Sequence, residues 1–335
     1  MKAEGTNGKR RLTFLGKAVL STLLLGWLIW RADLGEVGRV VSQARWPILI
    51  GAFFFFFFGY FLTASRWRVL LEALQIELGL VYLMQSFAVG VFFNNFLPST
   101  VGGDVVRVYD TWRAGGGRVN ALAAVFLDRL IGVSALALFA AGGLLVSGGF
   151  EKEAGFVAPA VWSFLGITAA AVLLVFFLPP ALSELLDAVT GRLPGVLGHL
   201  GRRFLDAAAL VRGRADILAA GLGYSILLQG NVIVFYFLVG YALDLPLGLP
   251  DYALIVPLAL IVMLIPVSVN GVGLREGVFA FFFGFYGIGL AEALAFSWLI
   301  YGQILLQGLV GGIVYLVRKH PVPGPGGPEG EDAAQ

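Results

Sequence analysis

The chain has 335 residues, of which 59% are hydrophobic and only 13% are charged, and its formal net charge is +2. Soluble domains carry about 25% charged residues, so this composition excludes an ordinary soluble protein and favours an integral membrane protein. The chain has no cysteine and only two histidines, His199 and His320, which excludes disulfides and thiolate chemistry and argues against a histidine site. We therefore expect no metal and no cofactor.

Several stretches of about 20 residues run almost without charge, long enough to cross a hydrocarbon core of about 30 Å as α-helices. In chain order the apolar segments are 12–30, 46–64, 80–97, 119–147, 156–178, 215–243, 251–269, 277–287 and 289–317. We predict an all-α, polytopic integral membrane protein with about seven to nine apolar segments. One or two of the helical regions should be re-entrant or broken.

One membrane domain, 12–318, is the single folded unit that we predict. A basic N-terminus, 1–11, precedes it, and a tail rich in proline, glycine and acid, 319–335, follows it. The tail is too polar to bury a core, so we predict that it is disordered. Within the domain, 179–214 has apolar residues at helical spacing, typical of an amphipathic helix at the cytoplasmic membrane surface.

Basic residues predict the orientation, because Lys and Arg accumulate in cytoplasmic loops. They place both termini and 179–214 in the cytoplasm. We predict that the protein is a multi-pass protein of the inner cell membrane. We interpret Arg66 and Arg68 as the point where the second crossing returns to the cytoplasm. If 80–97 then crossed fully, the arginine-rich 179–214 would lie outside. A re-entrant hairpin over 80–113 restores the rule for every later loop.

The C-terminal part allows two solutions. Between an outside Asp251 and a cytoplasmic Arg318, three crossings satisfy the charge count, and so does one crossing with a re-entrant pair. The segment 277–287 is short for a crossing at about 1.5 Å per residue. This length favours a second broken region around 264–288.

Two motifs mark the broken regions, FLPSTVGGDVVR from residue 96 and LIPVSVNGVGLREG from residue 264. Each has a helix-breaking proline, Pro98 or Pro266, and then serine, glycines, an acid and an arginine. Such interruptions in two halves of a transporter point to a substrate site. We predict a weak internal repeat, with an inverted arrangement as one option. Two independent loops are the alternative.

Charged residues within these apolar surroundings are the candidates for headgroup chemistry. Arg107 lies one helical turn after Asp104, so the two side chains are expected to pair in the free state. Arg107 also suits bidentate contacts to phosphate oxygens. Asp128 and Arg129 interrupt another apolar span, where charges are costly and usually functional; a structural ion pair is the alternative. The candidate headgroup site comprises Asn95, Ser99, Gly102, Gly103, Asp104, Arg107, Asp128, Arg129, Ser268, Asn270, Gly271, Gly273, Arg275 and Glu276.

The motifs NNFLPSTVGGDVVRVYD, DRLIG and PVSVNGVGLREG together resemble the transmembrane region of the lysylphosphatidylglycerol synthase family, also called flippase-like proteins. The resemblance extends over about residues 12–318. In larger members a similar membrane domain is fused to a soluble aminoacyltransferase domain, and the membrane part is thought to move lipid between leaflets. The resemblance therefore implies the flippase-like part without aminoacyl transfer.

We therefore predict a transporter that moves an anionic phospholipid or a glycolipid between leaflets. The alternative is an integral-membrane enzyme, or an accessory subunit, of glycolipid or polyprenyl-phosphate glycosyl transfer, since some relatives carry names that suggest such activity. Recognisable nucleotide-binding and soluble catalytic motifs are absent, which favours the transporter. The expected partners are membrane lipids, and a lipid-modifying enzyme or glycosyltransferase is a further candidate. We expect no nucleic acid, and the oligomeric state is left open.

Overall fold

The computed structural model describes residues 21–96, 102–146, 155–177, 209–265 and 267–318, with residue 19 and scattered residues from 179 to 205. The predicted N-terminal segment 1–11 and tail 319–335 lie outside the described residues, as does most of the amphipathic segment 179–214. Pro98, Ser99 and Pro266 also lie outside them.

Throughout the part of the chain that the structure describes, the regular elements are helices, which confirms the all-α fold class. They are α1 (21–31), α2 (Leu34–Ser42), α3 (Trp46–Ala73), α4 (Leu80–Phe96), α5 (Gly102–Thr111), α6 (Arg118–Val146), α7 (Val157–Phe177), α8 (Ala215–Ala242), α9 (Leu249–Met263), α10 (Leu274–Gly284) and α11 (Leu290–Val317). A π-helical turn, Trp112–Gly116, joins α5 to α6. Among the described residues, five helices are long and apolar enough to cross a membrane, namely α3, α6, α7, α8 and α11.

Helix α3 is longer than the apolar run that predicts it. It continues to Ala73, so Arg66 and Arg68 are helical residues, and the point where the chain leaves the membrane stays a prediction. Both arginines are tolerated in the helix because each is paired: Arg66 Nε lies 2.7 Å from Asp128 Oδ1, and Arg68 Nε lies 2.7 Å from Glu72 Oε1. Hydropathy alone therefore ends the helix too early, because arginine is itself a good helix former.

Helices α4 and α5 form the first hairpin, as the charge count predicts. Ser86 near the start of α4 donates to Asp110 Oδ2 near the end of α5, at 2.6 Å. A Cβ on Gly90 would lie 3.1 Å from the Gly103 Cα, so the two helices nearly touch through their glycines. The chain therefore enters and leaves this hairpin at the same end of the molecule.

Helices α9 and α10 form the second hairpin. The rings of Tyr252 in α9 and Phe283 in α10 lie 6.5 Å apart, so the start of one helix is beside the end of the other. Tyr286, which follows α10, lies beside Asp251 in the first turn of α9. Positive φ angles, including +75° at Gly271, turn the chain between the helices. This is the broken region predicted around 264–288.

The two hairpins occupy equivalent places in two halves of opposite direction. Each half has a long helix, a broken hairpin and a second long helix: α3 to α6 in one, α8 to α11 in the other. Helices α3 and α8 are antiparallel, since Arg45 N–H at the start of α3 donates to Ala242 O at the end of α8. Helix α4 packs on α11 and α9 packs on α6. This reciprocal packing supports the predicted internal repeat and its inverted arrangement.

The connections gather at two ends of the molecule. At the Arg318 end, Arg318 pairs with Asp110 at 2.7 Å, and Gly213 N–H donates to Phe176 O at 2.8 Å. At the opposite, Asp244 end, Arg45 pairs with Asp244. Arg318 and Asp251, which are predicted to lie on opposite sides of the membrane, are therefore near opposite ends of the molecule. Which end faces the cytoplasm stays a prediction.

Candidate functional site

A cavity of about 770 Å³ lies between the two hairpins and the long helices α3, α6, α8 and α11. Its volume is in the usual range for ligand pockets, about 300–1,000 Å³. Ten of the fourteen residues that the sequence analysis names line it: Asn95, Gly103, Asp104, Arg107, Asp128, Arg129, Ser268, Asn270, Gly271 and Arg275. The packing of the two hairpins thus brings both motifs to one place.

A buried triad of charges forms one wall. Asp128 of α6 is 2% exposed and accepts hydrogen bonds from Arg66 Nε at 2.7 Å and from Arg107 Nη1 at 2.8 Å. Arg66 Nη1 also donates to Ser225 Oγ of α8 at 2.9 Å. Buried charges are tolerated when they are paired in this way. The Asp128 carboxylate therefore links α3, α5 and α6. Its single negative charge compensates the positive charge of only one of the two arginines.

Asp104 and Arg129 form a second pair nearer the surface. Arg129 Nε and Nη2 donate to the two Asp104 oxygens, each at 3.0 Å, in a bidentate contact. Arg107, the partner that sequence spacing predicts for Asp104, is 3.9 Å away at its nearest, a long contact. The structure corrects the expected pairing, because α6 places Arg129 opposite Asp104 and Asp128 opposite Arg107. The Arg129 side chain is half exposed.

Arg275, at the start of α10, differs from the other three cavity arginines. No carboxylate lies within 4.0 Å of its guanidinium among the residues that the structure describes. Its Cζ lies 4.6 Å from the centre of the Tyr301 ring, and Nη2 makes a long contact, 3.3 Å, to Asn270 O. Nε and Nη1 are buried and have no hydrogen-bond partner there. A buried cation with unused donors is suited to an anionic ligand.

Asparagines connect the inner ends of the hairpins. Asn270 Nδ2 donates to Asn95 O at 2.7 Å, and Asn95 Nδ2 donates to Ile304 O of α11 at 2.9 Å. Asn94 Oδ1 accepts from Gly103 N–H at 2.7 Å, so it occupies one of the first amides of α5. These contacts hold the two motifs against each other at the cavity.

Three of the predicted site residues do not line the cavity and instead shape the hairpins. Gly102 approaches the Phe93 carbonyl so closely that a Cβ would lie 3.1 Å from its oxygen. Gly273 has a φ of +79°, which favours glycine. Glu276 is 2% exposed, and its Oε2 accepts from Gly273 N–H at 2.7 Å. Glu276 therefore caps α10 and is not among the residues that line the cavity, so its part in headgroup binding stays a prediction.

The sequence analysis did not predict some of the cavity residues, of which Arg66 is the most important. It follows an apolar run and is therefore interpreted as a loop arginine, although an arginine near a helix end can also point inward. Two aromatic residues that support the arginines are also missed. Trp67 lies under Arg107, with 4.3 Å from Cζ to the ring centre, and Tyr301 lies under Arg275. Tryptophan and tyrosine are common in membrane helices, so their sequence position carries no such signal.

Comparisons with known proteins agree over nearly the whole chain. The family model described as the lysylphosphatidylglycerol synthase TM region matches residues 14–311. A UPF0104 membrane protein of Pyrococcus horikoshii is 22% identical, over 90% of this chain and 96% of its own length. A UPF0104 membrane protein of Methanothermobacter thermautotrophicus is 23% identical, over 83% of this chain and 87% of its own length.

Proposed function

Because the chain belongs to the family of lysylphosphatidylglycerol synthase TM regions, we propose that it translocates an anionic phospholipid or glycolipid between membrane leaflets. The observation that carries the proposal is Arg275, a buried cation without a carboxylate partner in the described chain, inside a cavity at the junction of two inverted halves. Transporters built from inverted repeats bind their substrates at this junction, near the middle of the membrane.

The cavity suits a ligand that is both charged and apolar. Its arginines would bind the phosphate of a headgroup. An apolar wall, which would contact acyl or prenyl chains, is formed by Leu260, Met263, Leu264, Ile265, Val133 and Leu136. Leu264 and Ile265 are about half exposed, so this wall reaches the surface of the protein. A lipid could keep its headgroup among the arginines while its chains stay in the hydrocarbon.

The exposed ion pair marks a route for the headgroup. The Arg129 side chain is half exposed, and it forms an ion pair with the less exposed Asp104. An arriving phosphate can compete with Asp104 for Arg129 and then pass to Arg107 and Arg275. Because the halves are inverted, rocking one hairpin against the other would open the cavity to alternate sides. The Asn270–Asn95 contact is the link that such a movement would break.

The enzyme alternative has less support. A general base needs an available carboxylate within reach of substrate. Asp104 and Asp128 are each held by arginines, and Glu276 is outside the cavity and occupied by the Gly273 amide. Lipid movement requires no such base, only charge compensation.

Transport can be tested in liposomes that contain the purified protein and an acyl-labelled fluorescent phosphatidate. Dithionite, which does not cross the membrane, bleaches only the outer-leaflet label. We expect the protein to make inner-leaflet label accessible, with or without an imposed pH or potential gradient. Arg275→Gln should slow this at least about tenfold, since a charge-assisted hydrogen bond contributes roughly 1.5–3 kcal/mol.

Arg68→Gln is the matched control, because Arg68 is half exposed and pairs with Glu72 outside the cavity. It should leave the rate unchanged. Accessibility that equals protein-free vesicles under every gradient, or an Arg275→Gln rate equal to that of Arg68→Gln, would contradict the proposal.

A further inference from the structure

We infer that the cavity selects a headgroup with a terminal phosphate, a phosphomonoester or diphosphate carrying two negative charges, over a phosphodiester carrying one. The inference rests on the proposed lipid function and narrows its substrate class. Two properties of the cavity carry it: its unused guanidinium donors and its charge balance.

The unused donors belong to Arg107 and Arg275. Both line the cavity, and both are more than nine-tenths buried, at 4% and 8% exposure. Arg107 leaves Nε and Nη2 without a hydrogen-bond partner in the described part of the chain, and Arg275 leaves Nε and Nη1. An unsatisfied buried donor costs about 1–3 kcal/mol, and more when it is charged. Four such nitrogens at one cavity point to a ligand rich in acceptors.

The guanidinium groups of Arg107 and Arg275 have similar surroundings. Each lies on an aromatic ring, Arg107 on Trp67 at 4.3 Å and Arg275 on Tyr301 at 4.6 Å. Stacking fixes the plane of the guanidinium and leaves its edge available for hydrogen bonds. One such group comes from each half of the inverted repeat, so the cavity offers two anion contacts rather than one.

The charge balance requires two negative charges. Four arginines and two aspartates line the cavity, which leaves a formal net charge of +2. One excess charge lies in the triad, where Arg66 and Arg107 share Asp128. The other lies at Arg275. The neighbouring Glu276 does not line the cavity. Its carboxylate accepts the Gly273 N–H at the N-terminus of α10, where the helix dipole is positive.

A phosphodiester would neutralise one of the two excess charges and offers two unesterified oxygens. A terminal phosphate carries close to two charges at neutral pH and offers three strong acceptors. In a cavity of low dielectric, the charge that remains uncompensated is costly. The apolar wall beside the arginines favours a lipid over a free phosphate compound, because it would bury chains that the soluble compound lacks.

The test compares two lipids that differ by one methyl ester. Binding of phosphatidate and of phosphatidylmethanol, with identical acyl chains, is measured at pH 8 on the full-length protein in detergent. We expect phosphatidate to bind about tenfold more tightly or better, the contribution of one charge-assisted hydrogen bond. Arg275→Gln should abolish most of this preference, and Arg68→Gln should retain it. The melting temperature of Arg275→Gln checks its fold, which should persist because no ion pair is lost.

Equal binding of the two lipids, or a preference that survives Arg275→Gln, would overturn the inference. Glycerol 3-phosphate identifies the source of the phosphate: it should not displace phosphatidate at millimolar concentration, and displacement would assign the site to a soluble phosphate compound. In liposomes, translocation of both lipids at equal rates would reject the dianion preference and leave the transport proposal standing. Translocation of neither would reject the transport proposal itself.

Discussion

Asp128 is the residue on which the charged cavity depends, since Arg66 and Arg107 both donate to it and all three are buried. Asp128→Asn keeps the shape but removes the close counter-charge of two buried arginines, and Arg107 keeps only its 3.9 Å contact with Asp104. Breaking a buried pair costs about 3–5 kcal/mol, so we expect a marked fall in melting temperature in detergent. Glu72→Gln removes the partner of the half-exposed Arg68 and should cost at most about 1 kcal/mol. Equal losses in the two variants would show that the triad does not stabilise the fold.

Most of the charged residues that line the cavity were predictable from the sequence, but their pairing was not. Asp128 and Arg129 are evident because charges inside an apolar run are rare and costly. Their partners depend on how α5 and α6 are rotated against each other, and sequence spacing on one helix cannot supply that rotation. For this reason Asp104 is matched to Arg107 by sequence and to Arg129 in the structure. Arg66 was missed because an arginine after an apolar run also fits a loop.

At the scale of elements, the two halves meet through glycines. A Cβ on Gly311 of α11 would lie 2.0 Å from the Ala88 carbonyl oxygen of α4, and one on Gly143 of α6 would lie 2.6 Å from the Ala253 carbonyl oxygen of α9. Each contact joins a hairpin of one half to a long helix of the other half. Small residues let membrane helices approach closely, so each hairpin is seated against the long helix of the other half.

Gly311→Ala should therefore destabilise the protein by about 1–3 kcal/mol, the usual cost of overpacking. A Cβ on Gly302, in the same helix, would meet no described atom within 4 Å, so Gly302→Ala should be neutral or stabilising by up to about 1 kcal/mol. Thermal unfolding in detergent compares the two. If both alanines have the same effect, the glycine contact between α4 and α11 is not a tight one.

For the whole molecule, the sequence predicts the helices well and their arrangement only in part. Long apolar runs fix α6, α7, α8 and α11 to within a residue or two, because nothing competes with the apolar pattern there. Charge parity predicts the first hairpin, since only a hairpin keeps the arginine-rich segment on one side. The cavity itself arises from packing between halves that are far apart in sequence, and local patterns do not contain that information.

The absence of native cysteine makes the topology directly testable. Glu77 and Val119 flank the first hairpin at the Arg318 end, Leu249 lies at the Asp244 end, and all three are exposed. We expect single cysteines at 77 and 119 to react with an impermeant maleimide only from the cytoplasmic side, and a cysteine at 249 only from outside. Spheroplasts and inside-out vesicles separate the two. Opposite sides for 77 and 119 would mean that α4 and α5 together cross the membrane, and the inverted repeat would then require a different pairing of its halves.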